Sequence, residues 1–367
     1  MTRRLLYVVS HPIQYQAPLL RRIASDPDIS LLVAFENDFS SRRYRDHGFG
    51  VDVEWDVPLR EGYDSRLVDE IDWPRELAAC DAVWVHGWES HGLRRIMADA
   101  YALKRPVLLR GENWDRAMPD GLPPRSWAKR WYLSRIFKRC SAFLAIGSAN
   151  RAYYRAHGID PAKIFLMPYA IDNDYFASRA TEAAAAQVRE RHNIARGRKI
   201  LLFAGKLTAR KRAGDVLAAW RRADWLGEPP VLLIVGDGEQ RADLERGAGP
   251  DLIFAGFRNQ SEMPAYYAAA DLFALVSERE PWGLAVNEAM ACGTAVVVSD
   301  EVGAGFDLVD QTTGHTIQVG DIATLARVLP ALVARSDALG AAARARIADW
   351  DFAADINGLK RALGLFG

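Results

Sequence analysis

The sequence is poor in cysteine, has no long apolar run and carries no net charge. Three cysteines in 367 residues, Cys80, Cys140 and Cys292, are too few and too scattered for a disulfide framework or a zinc site. Each sits among apolar residues, as small buried side chains do. No apolar stretch approaches the ~20 residues that a membrane-spanning helix needs. The run Leu5 to Val9 is shorter than the ~7–15 residue core of a signal peptide and reads as a buried strand, so a cytoplasmic location is expected. Lys plus Arg and Asp plus Glu both number 47. That balance argues against a globally basic nucleic-acid binder and against an acidic disordered chain, while leaving room for a local basic patch. Several motifs are missing too. Gly236-Asp237-Gly238 has Arg241 where a dinucleotide fingerprint needs a third glycine, which disfavours a nicotinamide cofactor. There is neither a Walker A loop nor a G-x-S-x-G elbow.

What is present is an ordinary globular composition, 50% hydrophobic and 26% charged, with length for about two domains at roughly 150 residues each. Short Val-, Ile-, Leu- and Phe-rich runs recur at 5–9, 31–35, 82–86, 106–110, 142–146 and 164–167, and again at 200–204, 231–235, 252–255, 272–276 and 295–299. Helical periodicity fills most of the gaps. Unalternated apolar strands separated by helices predict parallel sheets covered on both faces. The expected fold is α/β, with two Rossmann-like, doubly wound parallel-sheet domains facing a cleft. The expected divisions are 1–171, a linker at 172–197, and 198–349, with a C-terminal helix over about 350–367 crossing back to the first domain.

In open parallel sheets, ligands bind beyond the carboxyl ends of the strands. The first half places His11 and Gln14, His86 and His91, and Arg110, Glu112 and Asn113 there or just beyond; these are candidate acceptor or sugar contacts. In the second half the sharpest segment is 280–295, EPWGLAVNEAMACGTA. A strand ends, a short loop follows, and a helix begins near Leu284. The backbone amides of Trp282, Gly283 and Leu284 then form an anion-binding helix N-terminus. Glu280 and Glu288 flank it, one carboxylate for each hydroxyl-bearing ring of a ligand with a central diphosphate. At 205–211, GKLTARK, Gly205 ends a strand and Lys206 and Lys211 supply two cations for the same diphosphate. Asp172-Asn173-Asp174 is a D-x-D triplet, but its place in the expected linker argues against a metal, and no metal is expected.

Together these segments resemble retaining glycosyltransferases of the GT-B fold, specifically glycosyltransferase family 4. GKLTARK resembles the family's donor-phosphate loop, VGDGEQRADL with Gly236 its glycine-rich turn, and Ile253 to Val298 its nucleotide-sugar signature, in which Glu280 and Glu288 are the glutamates of an E-x7-E motif. The resemblance implies that Glu288 binds the ribose and that Glu280 contacts the donor sugar. It implies that Lys206, Lys211 and the 282–284 amides hold the diphosphate, and that Phe257 and Arg258 lie beside the base. The first half departs from the commonest pattern. It reads His11-Pro12-Ile13-Gln14 where many members have a Gly-Gly pair, and Glu112 stands where many have a histidine.

The implied activity is transfer of a sugar from a UDP- or GDP-sugar to an acceptor hydroxyl, with retention and no metal, in cell-surface glycan or glycoconjugate synthesis. Glu280, Glu112, Lys206 and Lys211 are the expected catalytic groups. Alternatives are a nucleotide-sugar 2-epimerase on the same fold and a non-catalytic nucleotide-sugar-binding protein. The acceptor is a glycan, a lipid-linked sugar or a small molecule. Basic and aromatic residues over 125–139 suggest peripheral contact with the inner face of a membrane.

Overall fold

The computed structural model describes residues 2–116, 123–225 and 227–364. The first strands in the chain are β1 (Arg3–Val9), β2 (Ile29–Phe35), β3 (Tyr44–Asp46), β4 (Val51–Val53), β5 (Asp64–Leu67), β6 (Ala82–His86), β7 (Val107–Arg110), β8 (Ala142–Ala145) and β9 (Ile164–Leu166). Then follow β10 (Ile200–Ala204), β11 (Val231–Val235), β12 (Leu252–Gly256), β13 (Leu272–Leu275), β14 (Ala295–Ser299) and β15 (Gly314–Ile317). The chain divides into two compact units. One comprises Met1–Arg43, Val57–Tyr169 and Phe352–Gly367; the other comprises Tyr44–Asp56 and Ala170–Asp351.

The first unit is built on a parallel sheet of spatial order β5-β2-β1-β6-β7-β8-β9. The strand order reverses between β1 and β6. Leu5 to Val9 are all buried, as a strand covered on both faces must be. The helix Phe352–Gly364, which follows a break at Trp350 and Asp351, packs on this unit. Gly358 lies so close to it that a Cβ there would sit 2.1 Å from the Leu166 carbonyl oxygen.

The second unit has a parallel sheet of order β12-β11-β10-β13-β14-β15, reversing between β10 and β13. Three strand ends are drawn together at glycines. Gly205 N–H donates to Val235 O at 3.0 Å and Gly236 N–H to Gly256 O at 2.9 Å. Gly236 has φ 129°, and a Cβ there would fall 1.9 Å from Gly205 O, so only glycine fits. A two-stranded antiparallel hairpin, β3–β4, belongs to this unit although its sequence lies between two strands of the other sheet.

The strands that sequence reasoning missed are β3, β4, β5 and β15. None is an apolar run: β5 reads DSRL and β15 reads GHTI. Both are sheet-edge strands with partly exposed side chains, and neither is buried throughout.

Candidate functional site

Each sheet gathers polar side chains at its own reversal point, where a ligand can reach between diverging loops. In the first unit the centre is His86, the last residue of β6. Its Nδ1 lies 3.2 Å from the Tyr7 hydroxyl and 3.3 Å from Gln16 Nε2, and Tyr7 in turn donates to Gln16 Oε1 at 2.9 Å. Its Nε2 lies 3.2 Å from the Tyr169 hydroxyl and 3.6 Å from Glu112 Oε1. Glu112 also accepts hydrogen bonds from Tyr15 at 3.3 Å and from Tyr169. Burial alone would raise the Glu112 pKa. Hydrogen bonds and charge from His86, then the two tyrosines, overcome it and hold the carboxyl below its usual range. Burial and the neighbouring Glu112 charge push both phenols up, so they stay donors. The result is a fixed, ionised carboxylate.

The other candidates of the first half are held differently. His11 is half-buried against Phe39, with ring centroids 4.7 Å apart and Nδ1 2.9 Å from Ser10 Oγ; burial, then nearby His86, lowers its pKa. Gln14 is half-buried in the same loop, and His91 is exposed at the first position of the helix His91–Ala102. Arg110 and Asn113 are buried. Arg110 is no open contact for a sugar. Its guanidinium donates to Asp355 at 2.8 Å and to Met167 O at 3.0 Å, and lies 4.6 Å over the Tyr169 ring. It fastens the C-terminal helix instead. Asn113 contributes its carbonyl to Asn150 Nδ2 at 2.6 Å, which ties loop to helix.

In the second unit the reversal point lies between the loops after β10 and β13. Lys211 and Glu280 form an ion pair, both largely buried, and Ser277 donates to the same carboxylate oxygen at 3.3 Å. The loops are laced together: Arg210 donates to Arg279 O at 2.7 Å and Glu278 N–H to Arg210 O at 2.8 Å. A bridge to the loop after β14 pins the backbone of Glu280, whose N–H donates to Glu301 O and whose carbonyl accepts from Gly303 N–H, both at 3.0 Å. Gly283, at φ 98°, then turns the chain into the helix Leu284–Ala291. In that first turn Val286 N–H donates back to Gly283 O at 2.8 Å, while the Gly283 and Leu284 amides come before the helical ladder begins. The Trp282 side chain faces inward. It stacks on Trp350 with centroids 5.6 Å apart and donates to Asn287 at 2.9 Å, so the ring is not open to a ligand.

Glu288 accepts from the Tyr267 hydroxyl at 2.7 Å. Burial pushes its carboxyl up to about 7, and the Tyr267 bond offsets this only partly. Lys206 is engaged by the hairpin: its Nζ is 2.9 and 3.0 Å from the two oxygens of Asp46 and 4.9 Å from the centroid of the Phe49 ring. Phe257 also meets the hairpin, with its ring 4.9 Å from Phe49 and 6.3 Å from Trp55. Arg258 donates to Ala255 O at 2.7 Å and lies 5.7 Å over Tyr266. Asp172 of the D-x-D triplet caps the helix Asn173–Arg179 through Tyr175 N–H at 3.0 Å.

The structure adds Tyr7, Tyr15, Gln16 and Tyr169 around His86 and Glu112, Ser277 at Glu280, Tyr267 at Glu288, and Asp46 with Phe49 at Lys206. Tyr15 and Gln16 adjoin Gln14, and their place after the first strand was the available signal. Nothing in the sequence near Asp46 signals its partner, which lies 160 residues away.

Comparison with known proteins bears on this arrangement. Residues 11–170 match the family profile described as Glycosyl transferase 4-like domain, and residues 184–346 match Glycosyl transferases group 1. An alpha-D-kanosaminyltransferase of Streptomyces kanamyceticus is 28% identical over 53% of this chain and 50% of its own length. A D-inositol 3-phosphate glycosyltransferase of Xylanimonas cellulosilytica is 30% identical over 54% of this chain and 51% of its own length. The chain thus spans about half the length of these curated relatives. Among solved structures, Anabaena HepE in complex with UDP superposes with a TM-score of 0.77 at 17% identity, covering 99% of this chain and 100% of that one. The chain therefore carries a glycosyl transferase 4-like domain followed by a glycosyl transferases group 1 domain, on the two-sheet GT-B fold.

Proposed function

We propose that the protein transfers a sugar from a nucleoside-diphosphate sugar to an acceptor hydroxyl, with retention of anomeric configuration and without a metal ion. One observation carries this reading: the Lys211–Glu280 pair sits at the reversal point of the second sheet, beside the helix turned by Gly283. The two glycosyltransferase profiles support it, and so does HepE, whose fold the chain shares and which was solved with UDP and glucose.

In the reaction, the bond from the anomeric carbon to the diphosphate oxygen breaks and negative charge grows on the leaving group. Lys206, Lys211 and the Gly283 and Leu284 amides meet that charge, which stabilises the transition state more than the ground state. Glu280, freed from Lys211 by the incoming phosphate, takes hydroxyls of the donor sugar, which becomes oxocarbenium-like. Glu288 takes the ribose hydroxyls, and Phe257 and Arg258 lie along the base. Glu112, held ionised among His86, Tyr15 and Tyr169, receives a hydroxyl of the sugar or acceptor. The acceptor oxygen bonds to the anomeric carbon from the face that the diphosphate leaves, and its proton passes to the departing diphosphate oxygen, so configuration is retained.

The donor is a UDP- or GDP-sugar, and the acceptor a glycan, a lipid-linked sugar or a small molecule of cell-surface glycan synthesis. A cytoplasmic location with peripheral membrane contact fits such an acceptor. Among the described residues no helix is long and apolar enough to cross a membrane. The helix Arg125–Phe137 exposes Trp127, Trp131 and Tyr132 beside Arg125, Lys129, Arg130 and Arg135, a composition suited to anionic headgroups.

A panel of UDP- and GDP-sugars, offered to the purified protein and followed by thermal shift and then by NMR of the product, tests the proposal. A raised melting temperature with one donor and a product of unchanged anomeric configuration are expected. Failure of every donor to bind would overturn it.

A further inference from the structure

The hairpin β3–β4 is clasped to the second unit at both ends. At its base, Asn259 Nδ2 donates to Glu54 O at 2.6 Å, and Ser261 N–H lies 3.2 Å from Asp56 Oδ2, with the Ser261 hydroxyl donating to the same oxygen. At its tip, Asp46 accepts from Gly48 N–H at 2.8 Å and Phe49 N–H at 3.0 Å, which fixes its carboxylate, and that carboxylate takes the ammonium of Lys206. The lysine stem lies on Gly48, where a Cβ would come within 2.5 Å of Lys206 Cδ. Phe49 meanwhile sets its edge against Phe257, at an interplanar angle of 73°. The tip therefore offers the second unit an anion at Lys206 and an aromatic ring at Phe257. These are the two chemical features that a nucleoside diphosphate would present there.

We infer that Asp46 is a specificity-determining residue: an internal anion that competes for Lys206, so that only a ligand with a second phosphate displaces the hairpin tip. The inference rests on the donor-site reading above. A nucleoside monophosphate lacks the charge that reaches Lys206 and leaves the Asp46 pair in place. A diphosphate replaces the carboxylate at the lysine and frees the tip.

Calorimetric titration with UDP and UMP, and with GDP and GMP, of the wild-type chain and of Asp46→Asn tests this. The amide keeps the size of the side chain and removes its charge. Loss of one partly exposed ion pair is expected to tighten diphosphate binding about fivefold and leave monophosphate binding within twofold. Lys206→Met is expected to bring diphosphate and monophosphate affinities together. Hydrogen exchange over residues 44–56 is expected to rise when diphosphate is added to the wild type, and to be high beforehand in Asp46→Asn. Diphosphate binding that is unchanged or weaker in a folded Asp46→Asn would overturn the inference and leave the donor-site reading standing. Absence of nucleotide binding in wild type and both variants would overturn both. Tightened diphosphate binding without sugar transfer would sink the proposed activity and keep the Asp46 competition.

Discussion

Glu280 and Glu288 lie eight positions apart in one loop and helix, yet the fold gives them opposite company. Glu280 is ion-paired with Lys211; Glu288 has one phenol and a buried setting. The pH behaviour of Glu288 follows. Its folded-state value of about 7 stands above the ordinary 4.5, so between these values the folded chain keeps a proton that the unfolded chain has released. Its contribution to stability therefore declines as pH rises through that window. Glu112 has the opposite sign: its lowered value stabilises the fold above the ordinary range and loses that effect as pH falls below it. Urea unfolding of Glu288→Gln between pH 4.5 and 7 is expected to show a flatter decline than wild type. If Glu288 takes the ribose hydroxyls as proposed, its ionised carboxylate accepts them more strongly than the neutral acid, and nucleotide affinity is expected to rise more steeply from pH 6 to 8 in the wild type than in Glu288→Gln. At Lys211, replacement by alanine is expected to lower turnover roughly a hundredfold or more, the scale of removing one group aimed at developing charge. Its circular dichroism shows whether the fold survives. The placing of the glutamates and lysines at strand ends and at a helix start was legible, because short apolar runs and a following helical pattern mark those ends. Tyr267 and Tyr169 were not, because Tyr267 comes from the helix Met263–Ala269 and Tyr169 from the loop after β9, and each meets its partner only through the fold; Ser277 stands three residues before Glu280 in the same loop.

At the scale of elements, apolar runs announced the buried central strands and nearly all of their bounds. Two of the four edge strands, β5 and β15, and the β3–β4 hairpin escaped, since none of them carries a continuous apolar run; the edge strands β9 and β12 do carry one and were announced. Arg110 shows how position alone misleads. It ends a strand on the ligand side of the sheet, but its charge is spent on Asp355. Both groups are fully buried, so removing either leaves the other unpaired at about 3–5 kcal/mol. Asp355→Asn is expected to lower the urea midpoint accordingly, and the paired change Arg110→Met with Asp355→Leu to recover much of the loss. Gly236→Ala is expected to fail more broadly. Its φ of 129° and the 1.9 Å approach to Gly205 O leave no room for a methyl group, so the loops carrying Lys206 and Lys211 must shift. Reduced soluble yield or a lower melting temperature, together with weakened nucleotide binding, is the readout.

For the whole molecule, the alternation of strands and helices was enough to predict two parallel sheets, and the structure has both. The path of the chain between the units was less visible. The segment Tyr44–Asp56 leaves the first unit's sequence to join the second, a pairing written in a few polar contacts rather than in any periodicity. If the helix Arg125–Phe137 meets lipid, Trp127→Ala with Trp131→Ala is expected to reduce sedimentation with vesicles rich in anionic lipid several-fold and to leave the melting temperature unchanged, since both indoles are exposed. The ion pair between Arg110 and Asp355 also sets an order of events during synthesis. The guanidinium emerges from the ribosome 245 residues before its counter-charge. Until Asp355 and its helix have been made, the nascent first unit has an unneutralised cation at its centre and an uncovered flank where the helix Phe352–Gly364 docks. A stop codon placed shortly before Phe352 would leave it in that state permanently, so such a truncated product should be a substrate for chaperones and proteases.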